Sequence, residues 1–282
     1  MSARRSVFLL WPCAALAVLP SGCAFSHPNA LGEARMLVDK GRPAEAAAEL
    51  EAFLRRHPEA VGERRLLLRI DASMGRMDLA EAQAGALSRS LGPQSPIPWV
   101  ELGHALELTH RYDEALQQFD RAGEVAPADP LGPITGGLRA AYWGEAELAE
   151  PRLVEGLRRD SRNAEAWHAL GLVRVRLGNL DGAAEAYRSG LRADPRSVEQ
   201  HLGLATLAVL RDSPREALDE YDAIVSARPK LADAQLGRSW ALLKLGRLDD
   251  AQRALDRAQE LGAAKRPLLA QRRALAALRG MH

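Results

Sequence analysis

The sequence is short of cysteine, of aromatic residues and of any excess charge. Only two cysteines, Cys13 and Cys23, occur in 282 residues. That scarcity excludes a disulfide framework and a cysteine-ligated zinc module, since both need paired thiols at short spacing. The formal net charge is +1, and nothing suggests the basic stripe that a nucleic-acid binder uses to neutralise phosphates. Aromatics make up 5% of the chain although 47% of it is hydrophobic. The apolar content therefore rests on Ala, Leu and Val. Ala and Leu are strong helix formers, whereas β-branched and aromatic residues favour strands, so an all-α fold is expected.

Catalytic constellations are also missing. There is no Gly-rich phosphate loop ahead of a helix, no HExxH and no Cys pair. The seven histidines are scattered. His104 and His168 fall at different places along the chain's internal pattern, which fits satisfied or solvated side chains better than ligands. Acidic pairs such as Asp249-Asp250 read as solvated helix faces. No catalytic residue, no metal site, no cofactor and no small-molecule substrate is expected, and no nucleic acid as partner.

Residues 1–22 read as a secretory signal. Arg4 and Arg5 precede an apolar run from Val7 to Leu19, too short to span a bilayer, and the small pair Ser21-Gly22 follows. Pro12 and Pro20 argue against a buried helix there. The stretch "LPSGC" resembles the lipobox of bacterial lipoproteins, with Pro20 where that family usually has Leu. The resemblance implies that Cys23 becomes an acylated N-terminus, that residues 23–28 form a short tether, and that the protein is anchored to a membrane. Ala24 after the Cys points to the periplasmic face of the outer membrane, under that family's sorting rule. A soluble periplasmic protein after ordinary cleavage and an inner-membrane anchor are the alternatives.

What the chain does have is a repeat. Ala183 returns as Ala115, Ala149, Ala217 and Ala251, at an interval of 34 residues. Gly171 returns as Gly103, Gly137, Ala205 and Ser239, always small. Tyr187 returns as Phe119, Leu153, Tyr221 and Leu255. Pro195 returns as Pro127 and Pro229, and Gly178 as Gly144 and Gly246, with His110 and Asp212 at the intervening places. With Trp167, Leu170, Gly171, Ala183, Tyr187 and Pro195 at these offsets, unit 164–197 resembles the tetratricopeptide repeat family. Unit 96–129 repeats the match with Trp99, Leu102, Gly103, Ala115, Phe119 and Pro127. Unit 130–163 lacks the Trp and the closing Pro, having Pro133 and Ser161. The resemblance covers about seven units, 27–60, 61–95, 96–129, 130–163, 164–197, 198–231 and 232–265. It implies a right-handed superhelical solenoid of helix hairpins.

Residues 266–282 read as a capping helix, with Leu268, Leu275 and Leu278 toward the last repeat and Gln271, Arg272 and Arg273 toward water. The first helix should begin near residue 29. Leu91 to Pro98, "LGPQSPIP", is the expected irregular joint.

In the tetratricopeptide family, set positions of each first helix line a concave groove. The resemblance places Val100, Ile134, His168, Leu202 and Leu236 at one of them and His104, Leu138, Leu172, Thr206 and Trp240 at the next, with Val175, Val209 and Leu243 further along. That lining is unusually apolar for a solvated surface and reads as a protein-binding site. A groove filled by the chain itself is the competing reading. The expected function is a non-catalytic interaction scaffold in the bacterial cell envelope, serving pilus, secretin or other envelope assembly. A generic periplasmic module, for example in polysaccharide export, and a regulatory subunit of an envelope enzyme are the alternatives.

Overall fold

The computed structural model describes residues 29–280, and the signal segment, Cys23 and the tether lie outside them. The described residues form fifteen helices and no strand. Fourteen of them pair in chain order: α1 (Ala30–Asp39) with α2 (Pro43–Leu54), α3 (Val61–Ser73) with α4 (Met77–Leu91), and α5 (Ile97–Leu108) with α6 (Tyr112–Val125). Then follow α7 (Leu131–Trp143) with α8 (Ala146–Arg159), α9 (Ala164–Arg176) with α10 (Leu180–Ala193), α11 (Val198–Leu210) with α12 (Pro214–Ala227), and α13 (Ala232–Lys244) with α14 (Leu248–Glu260). The last helix, α15 (Lys265–Gly280), stands alone. Each pair packs on the next, giving an all-helical solenoid. None of the described helices is long and apolar enough to cross a membrane.

The helix α10 shows why these segments are helical. Ala183, Ala186, Tyr187 and Gly190 are buried on one face, while Asp181, Glu185, Arg188 and Arg192 are exposed on the other. That spacing of three and four residues gives one apolar stripe per helix. A helix of this length is marginal alone in water, so each one depends on its neighbours.

Within a pair, the small residue of the first helix admits a large side chain from the second. A Cβ on Gly137 would sit 2.7 Å from Leu153 Cγ, and one on Gly103 would collide with the Phe119 ring. A Cβ on Gly171 would collide with the edge of the Tyr187 ring. The partner small residues Ala115, Ala149, Ala183, Ala217 and Ala251 are fully buried.

The turns are specified as closely. Gly178 ends α9 with φ +78°, and Asn179 N–H donates back to Arg174 O at 2.8 Å. Asn179 then caps α10, its Oδ1 accepting from Gly182 N–H at 2.9 Å. His110 (φ 61°) and Asp212 (φ 49°) adopt the same left-handed backbone at the equivalent places, where a side chain is tolerated less readily than glycine.

At the N-terminal end, α1 begins at Ala30 and Asn29 Oδ1 accepts from Gly32 N–H at 3.1 Å. The stretch from Leu91 to Pro98 reduces to a connection of residues 92–96, with Gly92 in a positive-φ conformation after α4. At the other end, Leu268 and Leu275 are buried, and Leu278 packs against the same apolar cluster. Gln271 departs from the sequence expectation. It faces α13 rather than water: its Nε2 donates to Leu236 O at 3.1 Å, and its Oε1 accepts from Ser239 Oγ. An amide can satisfy backbone and hydroxyl groups that a further helix pair would otherwise cover.

Candidate partner-binding surface

The first helices of successive pairs lie side by side from α1 to α11, and α13 lies beside α15. Between α11 and α13 the contact runs through α12. The ten residues expected to line this face divide into two groups. Val100, Ile134 and Leu236 are buried and belong to the core, a correction to their expected place on an open lining. The reason is visible at Ile134. It leans on α8 at Gly156, where a Cβ would collide with its side chain. A small residue in the second helix thus draws the aliphatic side chain inward.

The others stay accessible to different degrees. Leu172 is 52% exposed, and Leu202 and Thr206 are also exposed. Leu138, His104, His168 and Trp240 are half-buried. Leu138 packs against the core cluster that also holds Phe119 and Leu170. Of the further positions, Val175 and Val209 are half-buried and Leu243 is buried.

A second row lies one position beyond Val175 and Val209. Leu108, Tyr142 and Leu210 are among the most exposed apolar side chains, with Tyr142 at 71%. They sit at the C-terminal ends of α5, α7 and α11, at one position of the 34-residue repeat, which Arg176 and Lys244 occupy on α9 and α13. The signal was available: the same side-chain position one residue beyond Val175 and Val209 is large and apolar in three units. The guanidinium of Arg139 lies 4.8 Å from the Tyr142 ring centroid and partly covers it.

Polar groups tie neighbouring first helices together. Glu101 on α5 is almost fully buried, and its carboxylate accepts from Arg65 Nε at 2.8 Å and Arg69 Nε at 2.7 Å, both on α3. Glu107, one turn and a half further along, pairs with Arg139 on α7 and accepts from Trp143 Nε1 at 3.1 Å. The carboxylate is buried and both arginines hold it from the solvent side, so Glu101 pins α5 to α3. Two arginines share this one carboxylate, and both are nearly half exposed. The face therefore carries excess positive charge at this point.

His104 sits between these two groups, edge-on to Phe119 at 5.2 Å. Burial lowers its pKa to about 4; Glu101 opposes the shift, and Arg69, Arg139 and Arg65 add to it. Burial likewise lowers the pKa of His168, whose Nδ1 has no hydrogen-bond partner. Both imidazoles are thus neutral packing groups at neutral pH. Among the described residues no three His, Cys, Asp or Glu side chains converge as they would to hold a metal ion.

The unfolded chain protonates His104 near its ordinary 6.5, the folded chain only near 4. Between those values the unfolded state binds more protons, so stability falls as pH falls. Titration by NMR should place the His104 pKa near 4, and His104→Gln should lose less stability than the wild type between about pH 6.5 and 4. An ordinary His104 titration near 6.5 would show that the imidazole is solvated.

Comparison with known proteins agrees with this geometry. The family model described as tetratricopeptide repeat matches residues 31–96, 135–198 and 202–266, well over half of the chain. Protein bimA of Emericella nidulans is 30% identical over 101 residues, covering 36% of this chain and 12% of that protein. The heat-shock protein cognate co-chaperone sgt12 of Aspergillus fumigatus is 29% identical over 122 residues, covering 40% of this chain and 36% of that protein. The chain thus spans little more than a third, or less, of these curated relatives. Among solved structures, the C-terminal part of a repeat protein from Cytophaga hutchinsonii superposes with a TM-score of 0.63 at 13% identity, covering 85% of this chain and 98% of that one. YrrB, described as a TPR protein with an unusual peptide-binding site, superposes at 0.55 and 18% identity, covering 64% and 93%. At such identities the structural likeness speaks for the fold. With the helix pairs, the 34-residue register and the matched segments together, the chain belongs to the tetratricopeptide repeat family.

Proposed function

We propose that the protein is a non-catalytic scaffold that holds an apolar or amphipathic segment of a partner protein along the face formed by its first helices. One observation carries the reading. Leu172, Leu202, Leu108, Tyr142 and Leu210 stay exposed on four consecutive first helices, α5, α7, α9 and α11. Contiguous exposed apolar surface marks interaction sites in soluble proteins, and a segment laid across several helices would reach residues one repeat apart. The peptide-binding site named for YrrB is the same kind of use on a similar fold.

The place of action rests on the N-terminal sequence alone. Arg4-Arg5, the apolar run Val7–Leu19 and the "LPSGC" stretch ending at Cys23 support export and acylation. Acyl chains would hold the solenoid at a membrane surface, facing the periplasm at the outer membrane. In that setting the scaffold would serve assembly of an envelope structure such as a pilus or a secretin.

Two experiments test these readings separately. A photo-reactive residue at Leu210 should give a specific adduct in the native cell. Leu172→Glu with Leu202→Glu should abolish that adduct while helical circular dichroism persists; an unchanged adduct would remove the face from the account. For the anchor, Cys23→Ser should move the protein out of the membrane fraction, and an unchanged fraction would refute acylation.

A further inference from the structure

The face formed by the first helices changes character along its length. Two register positions of each first helix line it. On α1 and α3 these positions hold Leu31, Arg35, Arg65 and Arg69. From α5 to α13 neither position carries a Lys, Arg, Asp or Glu. The exposed leucines of these positions lie toward that other end, Leu172 on α9 and Leu202 on α11.

The charge on α1 and α3 is only partly neutralised. Among the described residues Glu101 is the one carboxylate that reaches Arg65 and Arg69, and both of its oxygens are used. Its Oε1 accepts from Arg65 Nε at 2.8 Å and its Oε2 from Arg69 Nε at 2.7 Å. The terminal nitrogens of Arg69 donate to no group among the described residues, and that side chain is 44% exposed. Arg35, in register with Arg69, is exposed and makes no ion pair among the described residues. Asp39 at the end of α1 offsets part of this charge, but no ion pair joins it to Arg35. On α7 Arg139 is matched by Glu107, so the excess is confined to α1 and α3.

This arrangement favours a second carboxylate. A guanidinium held through Nε by a buried acid is fixed in place, and its outward N–H groups form a ready fork for an incoming carboxylate. A basic segment would be repelled there, and an apolar one would gain nothing from the arginines.

We propose that the partner segment held on this face is acidic at one end and apolar at the other. Its carboxylates pair with Arg65, Arg69 and Arg35, and its apolar side chains lie on Leu172 and Leu202. The inference rests on the first-helix face being the binding surface, and adds the chemistry and order of what binds. Three helix-to-helix steps lead from α3 to α9. At roughly 8–10 Å per step and about 3.3 Å per extended residue, about eight residues separate the two blocks.

The probe is a dye-labelled peptide in which Glu-Glu-Glu-Glu is joined to Leu-Leu-Phe-Leu through a Gly-Ser linker of about eight residues. It is made in both orders and titrated into the purified chain by fluorescence anisotropy. At least one order should bind. Gln in place of Glu should weaken binding about three- to five-fold, and Lys in place of Glu by more than about tenfold. Rising salt should erase these differences. Arg65→Gln with Arg69→Gln should reduce the Glu peptide to the affinity of the Gln peptide, with circular dichroism unchanged. Leu172→Glu with Leu202→Glu should remove binding of every peptide. If the arginine variant does not fold, the comparison of Glu, Gln and Lys peptides on the unaltered protein decides. Equal affinity of the three overturns the proposal and leaves the face as an apolar site. No binding by any of them overturns both.

Discussion

The structure depends on one recurring contact: a small residue in a first helix facing a large side chain from its second helix. Gly103 faces Phe119, Gly137 faces Leu153 and Gly171 faces Tyr187. The same ring often reaches into the next pair. Tyr187 also fills the space a Cβ on Gly203 would need, and Tyr221 does so at Gly237. Each large side chain thus sets the spacing within its own pair and the docking of the pair that follows. Burying such a side chain is worth about 1.5–3 kcal/mol. An exposed ion pair such as Arg42 with Glu45 or Arg257 with Glu260 is screened by water and adds little. Packing, repeated at fixed register, outweighs the many surface charges.

The charges that matter for shape are the ones that cross between units. Glu101 with Arg65 and Arg69, Glu107 with Arg139, and Asp120 with Arg152 each link residues on different helix pairs. They hold neighbouring first helices, or neighbouring second helices, against sliding. The fourth unit illustrates the exchange. It lacks the Trp and Leu of its neighbours, and Arg152 and Arg159 reach from α8 to α6 across the space that remains.

The repeat was legible because Gly171, Ala183 and Tyr187 have counterparts at one interval, and interval alone identifies helix pairs. The accessible face was only half legible. Whether a position points outward depends on the size of a residue on another helix: Ile134 turns inward because Gly156 leaves room, and no local pattern records that pairing. Gln271 was placed in water because its own helix gives no sign that Leu236 O and Ser239 Oγ await a partner. The Arg–Glu links were invisible for the same reason, since their partners lie 32 and 36 residues apart, as in Arg139 with Glu107 and Arg65 with Glu101. The row of Leu108, Tyr142 and Leu210 follows the same register, one position beyond Val175 and Val209. The N-terminal reading at Cys23 concerns residues outside those the structure describes.

The most direct test of the central contact is a thermodynamic cycle at Gly171 and Tyr187, read by chemical denaturation. Gly171→Val alone should overpack the ring and destabilise the chain by about 1–3 kcal/mol. Tyr187→Ala alone should destabilise it by about 3–5 kcal/mol. Because Val fits only once the ring is gone, the double variant should be more stable than the sum of the two losses by about 1 kcal/mol or more. Strict additivity would mean that the small residue and the ring do not set each other's position, and the account of how these helices nest would fail.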